Sequence, residues 1–151
     1  MYLKEFLKKY DDKKIRLFVD MDGVIADYIV NDLNYSNKRP LTSSIKKIEE
    51  VSKMENVEVF ILSVSRTDKG VLQKNRWLDE NASFIKEKNR VIISRETNNF
   101  NESYKLKTHF LKNLKRDEGV IIVIDDDPKI LKDIAKNCKD IVLLKDSALV
   151  D

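Results

Sequence analysis

Four short apolar runs constrain the fold more than any other feature of the sequence. They are IRLFVD (15–20), VEVFILS (57–63), VIIVIDDD (120–127) and DIVLL (140–144), with a weaker fifth, RVIIS (90–94). Each is rich in Val and Ile. Continuous apolar runs of this length suit strands covered on both faces, as in a parallel sheet. The segments between them carry helical periodicity. In SSIKKIEEVSKM (43–54), Ile45, Ile48, Val51 and Met54 recur at three-residue intervals, and Ser43 or Ser44 stands ready to cap the start. Helices are also predicted over 70–80, 105–116 and 128–137, and an amphipathic one within 1–11 through Leu3, Phe6, Leu7 and Tyr10. Strands alternating with helices predict βαβ units and an α/β three-layer sandwich around a central parallel sheet. No repeat, low-complexity linker or composition break divides the 151 residues, so a single domain over 1–151 is expected.

Charge and cysteine content narrow the function classes. The 29 Lys+Arg nearly balance 26 Asp+Glu, and a formal charge of +3 is too small to announce a nucleic-acid binder. Nucleic acid therefore enters only as a possible substrate. Cys138 is the single cysteine, which excludes an internal disulfide and fits a reducing compartment. The start, MYLKEFLKKYDDKK, is too charged for a signal peptide, and no run approaches membrane-spanning length. A cytoplasmic protein without a membrane partner is expected.

In open α/β sheets the ligand site lies outside the carboxyl ends of the strands. Three of the runs end there in chemically useful residues: Asp20 and Asp22, then Ser63, then Asp125, Asp126 and Asp127. Any one of these aspartates on its own is most simply a helix or turn cap. Gathered at one sheet edge, they would raise one another's pKa values unless a cation lay between them. A hard ion such as Mg²⁺ takes oxygen ligands and leaves room for water and a phosphate. An aspartate in that setting can be a nucleophile, and a second one two positions on can serve as general acid and base. Gly23 lets the backbone turn sharply and approach a ligand. Ser63 can donate to a phosphate oxygen, with Ser65 its competitor through the two-residue strand period. A lysine near a helix N-terminus can hold the same phosphate.

DMDGV (20–24), FILS (60–63) and IVIDDDP (122–128) resemble, in the right order, motifs I, II and IV of the haloacid dehalogenase (HAD) superfamily. The resemblance implies a HAD-like Rossmannoid fold and Mg²⁺-dependent phosphoryl transfer through an aspartyl-phosphate. It makes Asp20 the nucleophile and Asp22 the acid/base. It puts the metal on Asp20, the Asp22 carbonyl, and Asp125 or Asp126. VDMDGVIADY, QKNRWL (73–78), RVIISRE (90–96) and IDDDP are similar to stretches of the 5'(3')-deoxyribonucleotidases, which implies a small phosphorylated substrate such as a nucleoside monophosphate.

Two departures from that family stand out. Its catalytic lysine directly follows a Thr-Arg-Asp triplet, but Thr97 follows SRE here. KTHFLKNL (107–114) has the form found more broadly in the superfamily, so Lys107 is the expected lysine, Lys105 the reserve and Lys74 a further source. The family's helical cap has only residues 28–42 to occupy, room for a loop or one short helix. The cap is thus minimal or absent, the chain is expected to be a monomer, and Tyr28, Asn31 and Arg39 are expected nearest the substrate. Trp77 and His109 read as structural. The reading is a Mg²⁺-dependent phosphomonoester hydrolase. Its rivals are a phosphatase for terminal phosphates of nucleic acid or phosphoprotein, and a non-catalytic HAD-fold binding domain.

Overall fold

The computed structural model describes residues 3–28, 34–98 and 102–150. The apolar runs form strands β1 (Ile15–Val19), β2 (Val57–Ser65), β3 (Arg90–Ser94), β4 (Val120–Asp125) and β5 (Val142–Lys145). They make one sheet in the order β3-β2-β1-β4-β5, and every neighbouring pair is parallel. The helices are α1 (Leu3–Leu7), α2 (Thr42–Ser52), α3 (Asp68–Asn81), α4 (Lys105–Asn113) and α5 (Pro128–Asn137).

Successive strand residues point to opposite faces, and both faces here are covered. Leu17, Val19, Ile61, Ile122 and Ile124 join one core, closed by Leu3 and Leu7 of α1, Ile45, Ile48 and Val51 of α2, and Trp77 and Leu78 of α3. Phe18, Leu62, Ile121 and Val123 join the other, closed by Leu111 of α4, Ile134 of α5 and Cys138. This is why the runs lack polar alternation, and it makes the three layers.

The start of α2 differs from expectation. The helix begins at Thr42 and has no side-chain cap, so neither Ser43 nor Ser44 serves as one. A cap contributes about 1 kcal/mol. Burying Ile45, Ile48 and Val51 contributes about 1.5–3 kcal/mol each, so packing rather than capping sets that helix. No helix among the described residues is long and apolar enough to cross a membrane.

The strand order positions the site. From β1 the chain builds outward through β2 to β3, then returns to lay β4 on the other side of β1. The order reverses between β1 and β4, where open sheets leave a crevice at their carboxyl ends. Asp20 follows β1 directly and Asp125 ends β4.

Candidate active site

Asp20 continues the sheet ladder, its N–H donating to the Ile124 carbonyl at 3.0 Å. That bond sets its carboxylate beside Asp125. The Lys107 ammonium, from the first turn of α4, bridges the two: it donates to Asp20 Oδ1 at 2.9 Å and to Asp125 Oδ2 at 2.6 Å. Lys107 is only 2% exposed and Asp125 is fully buried. Asp125 Oδ1 also accepts the Asp127 N–H at 3.0 Å, so Asp125 is fixed at both oxygens. Asp126 completes a group in which one oxygen from each of Asp20, Asp125 and Asp126 lies within 4.8 Å of the others.

Gly23 makes room for this group. Its φ is +81°, and a Cβ placed there would sit 2.0 Å from Asp126 Oδ2. Burial pushes the Asp20 carboxyl up to about 7, Lys107 pulling it back and the Asp125 and Asp22 charges adding to the rise. Burial and the Asp125 charge also raise Asp126. Three hard oxygen donors, short of positive charge and with a glycine clearing space, fit a divalent cation such as Mg²⁺.

Asp22 stands apart from that group. Burial would raise its carboxyl, but Lys74 and Lys38 outweigh burial and hold it below the ordinary range. Lys38 donates to Oδ1 at 2.7 Å and Lys74 to Oδ2 at 3.2 Å. Lys74, only 5% exposed, also reaches Ser63 Oγ and the Val64 carbonyl, each at 2.8 Å. The buried Tyr35 ring packs edge-on to Trp77 at 5.9 Å, with Lys38 and Lys74 4.8 and 5.2 Å from its centroid. Burial and the Asp22 carboxylate push its phenol far up, so it remains a donor. Its hydroxyl neighbours Asp22, yet no acceptor meets it in hydrogen-bonding geometry among the described residues. Four carboxylates (Asp20, Asp22, Asp125, Asp126) thus face three lysines (Lys38, Lys74, Lys107).

A cavity of about 390 Å³ opens on these groups, lined in part by Asp20, Asp22, Ser63, Lys107, Asp125 and Asp126. Tyr28 lines it as well; Asn31 lies outside the described residues. Arg39 does not line it. Its guanidinium pairs with Asp27 at 3.0 Å in solvent, and Lys38 next to it points inward instead. Ser65 is buried but turns away, its hydroxyl donating to the Thr67 carbonyl at 2.9 Å in the turn before α3. Lys105 is exposed, 3.6 Å from Glu102. Asp127 caps α5 through the Lys129 N–H at 2.9 Å, the simple role open to any of these aspartates. His109 lines a separate groove of about 850 Å³ along β3, where Asp68 is engaged by Ser94 at 2.5 Å and no carboxylate cluster forms among the described residues.

Lys38 and Tyr35 escaped the sequence reading, because residues 34–41 carry no periodicity and a lysine stands out little among 29 Lys+Arg. Lys74 did leave a signal. It shares a helix face with Trp77 and Leu78, three and four residues on, and so belongs to the buried stripe, whereas Leu72 is exposed.

No family model and no curated protein matches the sequence. Solved structures do share the fold. A chain of the Pnkp1/Rnl/Hen1 complex aligns with a TM-score of 0.68 at 14% identity, over 88% of this chain and 46% of its own. A second structure, of the Pnkp1/Rnl/Hen1 RNA repair complex, gives 0.67 at 16% identity, over 89% and 42%. The HAD domain of effector protein Lem4 from Legionella pneumophila gives 0.58 at 15% identity, over 87% and 84%. The chain spans less than half the length of the repair-complex chains but most of its length matches the HAD domain. At such identities the likeness is one of fold, a HAD-like Rossmannoid architecture.

Proposed function

We propose that the chain is a Mg²⁺-dependent phosphomonoester hydrolase acting on nucleotide-like substrates through an aspartyl-phosphate on Asp20. One observation carries the reading. Asp20 shares a three-carboxylate group with Asp125 and Asp126, while Asp22, two residues on, is held separately by two lysines. That division suits a nucleophile beside a metal and an acid/base away from it.

Asp20, Asp125 and Asp126 would hold the ion. When bound, Mg²⁺ supplies Lewis acidity to the phosphoryl oxygens. Lys107 keeps the Asp20–Asp125 pair from repelling and fixes the Asp20 side chain. Ser63 and Lys74, 2.8 Å apart, offer donors to a phosphate oxygen. In the first half of the reaction Asp22, having taken a proton from solvent as Lys74 turns to the phosphate, gives it to the leaving oxygen while an Asp20 oxygen bonds to phosphorus and the bond to that leaving oxygen breaks. Lys74 turning to the phosphate removes one of the two cations that keep Asp22 ionised. In the second half Asp22 takes a proton from water, the water oxygen bonds to phosphorus, and the bond to Asp20 breaks. The net change is ester plus water to alcohol plus phosphate.

The test is hydrolysis of p-nitrophenyl phosphate with and without Mg²⁺. The wild-type chain is expected to turn over only with the ion, and Asp20→Asn to lose activity by far more than tenfold, that is, by more than about 1.4 kcal/mol in the barrier. Residual activity of Asp20→Asn within tenfold of wild type would remove Asp20 as nucleophile.

A further inference from the structure

At the same sheet edge, Ser65 of β2 pairs in register with Ser94 of β3. Arg66 and Arg95 come next, so two arginines leave adjacent strand ends side by side. The Arg95 N–H donates to the Ser65 carbonyl at 2.8 Å, which fixes that placement. Adjacent strands lie about 4.8 Å apart, close enough for like charges to repel. Both residues are exposed, and among the described residues neither guanidinium has an ion-pair or hydrogen-bond partner.

The two arginines line a groove of about 180 Å³ together with Tyr104. This groove shares Val64, Asp127 and Ile130 with the acidic cavity, so the two are continuous. The Tyr104 ring gathers further cations, with Lys129 Nζ 4.4 Å and Lys105 Nζ 5.8 Å from its centroid. Of the acids nearby, Asp127 is committed to its cap and Glu102 sits by Lys105. The groove is therefore a cationic, aromatic-walled extension of a cavity built for a phosphate. The chain's small net charge hides it, because the positive charge is local.

We infer that the groove holds the strand side of a phosphate-terminated single-stranded nucleic acid. The inference rests on the hydrolase reading for the terminal phosphate. The neighbouring internucleotide phosphate sits on Arg66 and Arg95, and its nucleoside lies against the Tyr104 ring. Arginine forks match phosphate oxygens, and basic grooves with aromatic rings are how single strands are bound without sequence preference. A mononucleotide has no second phosphate to occupy the arginines.

Binding is measured by fluorescence anisotropy on the full chain carrying Asp20→Asn, with Mg²⁺. The probe is a labelled single-stranded RNA decamer phosphorylated at its 3' or its 5' end. Arg66→Ala/Arg95→Ala, added to this chain, is expected to weaken binding about tenfold or more. It should also flatten the plot of log affinity against log salt by about 0.7, the slope that one lost phosphate contact carries on a single strand. In the catalytically intact chain, the same pair should lower kcat/KM for the decamer relative to p-nitrophenyl phosphate by a similar factor. Circular dichroism checks that the double variant is folded. Arginine-dependent binding without hydrolysis of either substrate would sink the hydrolase reading and leave the groove standing. Hydrolysis of p-nitrophenyl phosphate, with decamer affinity and salt slope indifferent to the arginines, would overturn the groove alone. So would tighter arginine-dependent binding of a phosphorylated peptide.

Discussion

Gly23→Ala tests the geometry of the acidic group directly. Two separate costs can be assigned. The backbone at Gly23 has φ +81°, a left-handed conformation that costs a residue with a Cβ about 1–2 kcal/mol. The second cost is steric. The new Cβ would lie 2.0 Å from Asp126 Oδ2, where ordinary contact begins at 3.4 Å, so the carboxylate must retreat by about 1.4 Å. A Mg²⁺ shell holds its oxygens at about 2.0–2.1 Å in a nearly rigid octahedron, so such a retreat takes Asp126 out of it. Stability should therefore fall by about 1–2 kcal/mol in urea unfolding without metal. The Mg²⁺ concentration for half-maximal activity should rise by about 10–100-fold, the scale on which disturbed ligand placement acts. A double-mutant cycle with Asp126→Ala separates the two costs. In the Asp126→Ala background, Gly23→Ala should keep its conformational penalty and lose its effect on Mg²⁺. If Gly23→Ala leaves the Mg²⁺ midpoint within twofold of wild type, Asp126 is not where the ion is held and the reasoning fails.

Lys107→Met leaves Asp20 and Asp125 buried without their shared cation and should cost about 3–5 kcal/mol. Mg²⁺ should then raise its melting temperature more than that of wild type; an equal or smaller rise would show that lysine and metal do not serve the same charge. Ser63→Ala should slow turnover about 10²-fold. Ser65→Ala should instead lose about 1 kcal/mol of stability with its Thr67 bond and little rate, and the opposite pattern would mean that Ser65 faces the phosphate. The Arg116 hydrogen bond holds the Asp140 carboxyl below its ordinary value. That pair's contribution is present above the unfolded pKa, about 3.9, and is lost as pH falls through the lower folded value. Because Asp140 is exposed, the contribution is at most about 1 kcal/mol, and Asp140→Asn should flatten the acid limb of a stability–pH curve by no more than that.

The sheet was legible because strands buried on both faces cannot hide. Leu17 and Phe18 face opposite cores, so polar residues enter these runs only near their starts, as at Arg16 and Glu58, and at their carboxyl ends. The acidic group was legible for a related reason: like charges at strand ends have few structural uses. Strand limits were less so, since Ser65 continues β2 while Asp126 and Asp127 leave β4, and Val, Ser and Asp do not announce where pairing stops. Segment 34–41 was opaque. Lys38 and Tyr35 acquire their meaning from Asp22 and Trp77, residues distant in sequence, and Arg39 looked equally suitable until its pairing with Asp27 was visible. The paired arginines were invisible for want of register, because only the alignment of Ser65 with Ser94 makes Arg66 and Arg95 neighbours.

Trp77 is fully buried, and its indole N–H donates to the Lys38 carbonyl at 2.9 Å. Lys38 in turn holds Asp22. The chain has no other tryptophan, so all its indole emission comes from one ring tied, through a single residue, to the Asp22 carboxylate. The molecule thus carries its own optical probe. A phosphate that draws Lys38 or Lys74 away from Asp22 alters the charge around Tyr35 and the strain on that indole bond. On the proposed function, the intrinsic fluorescence would then report occupancy of the site without a label.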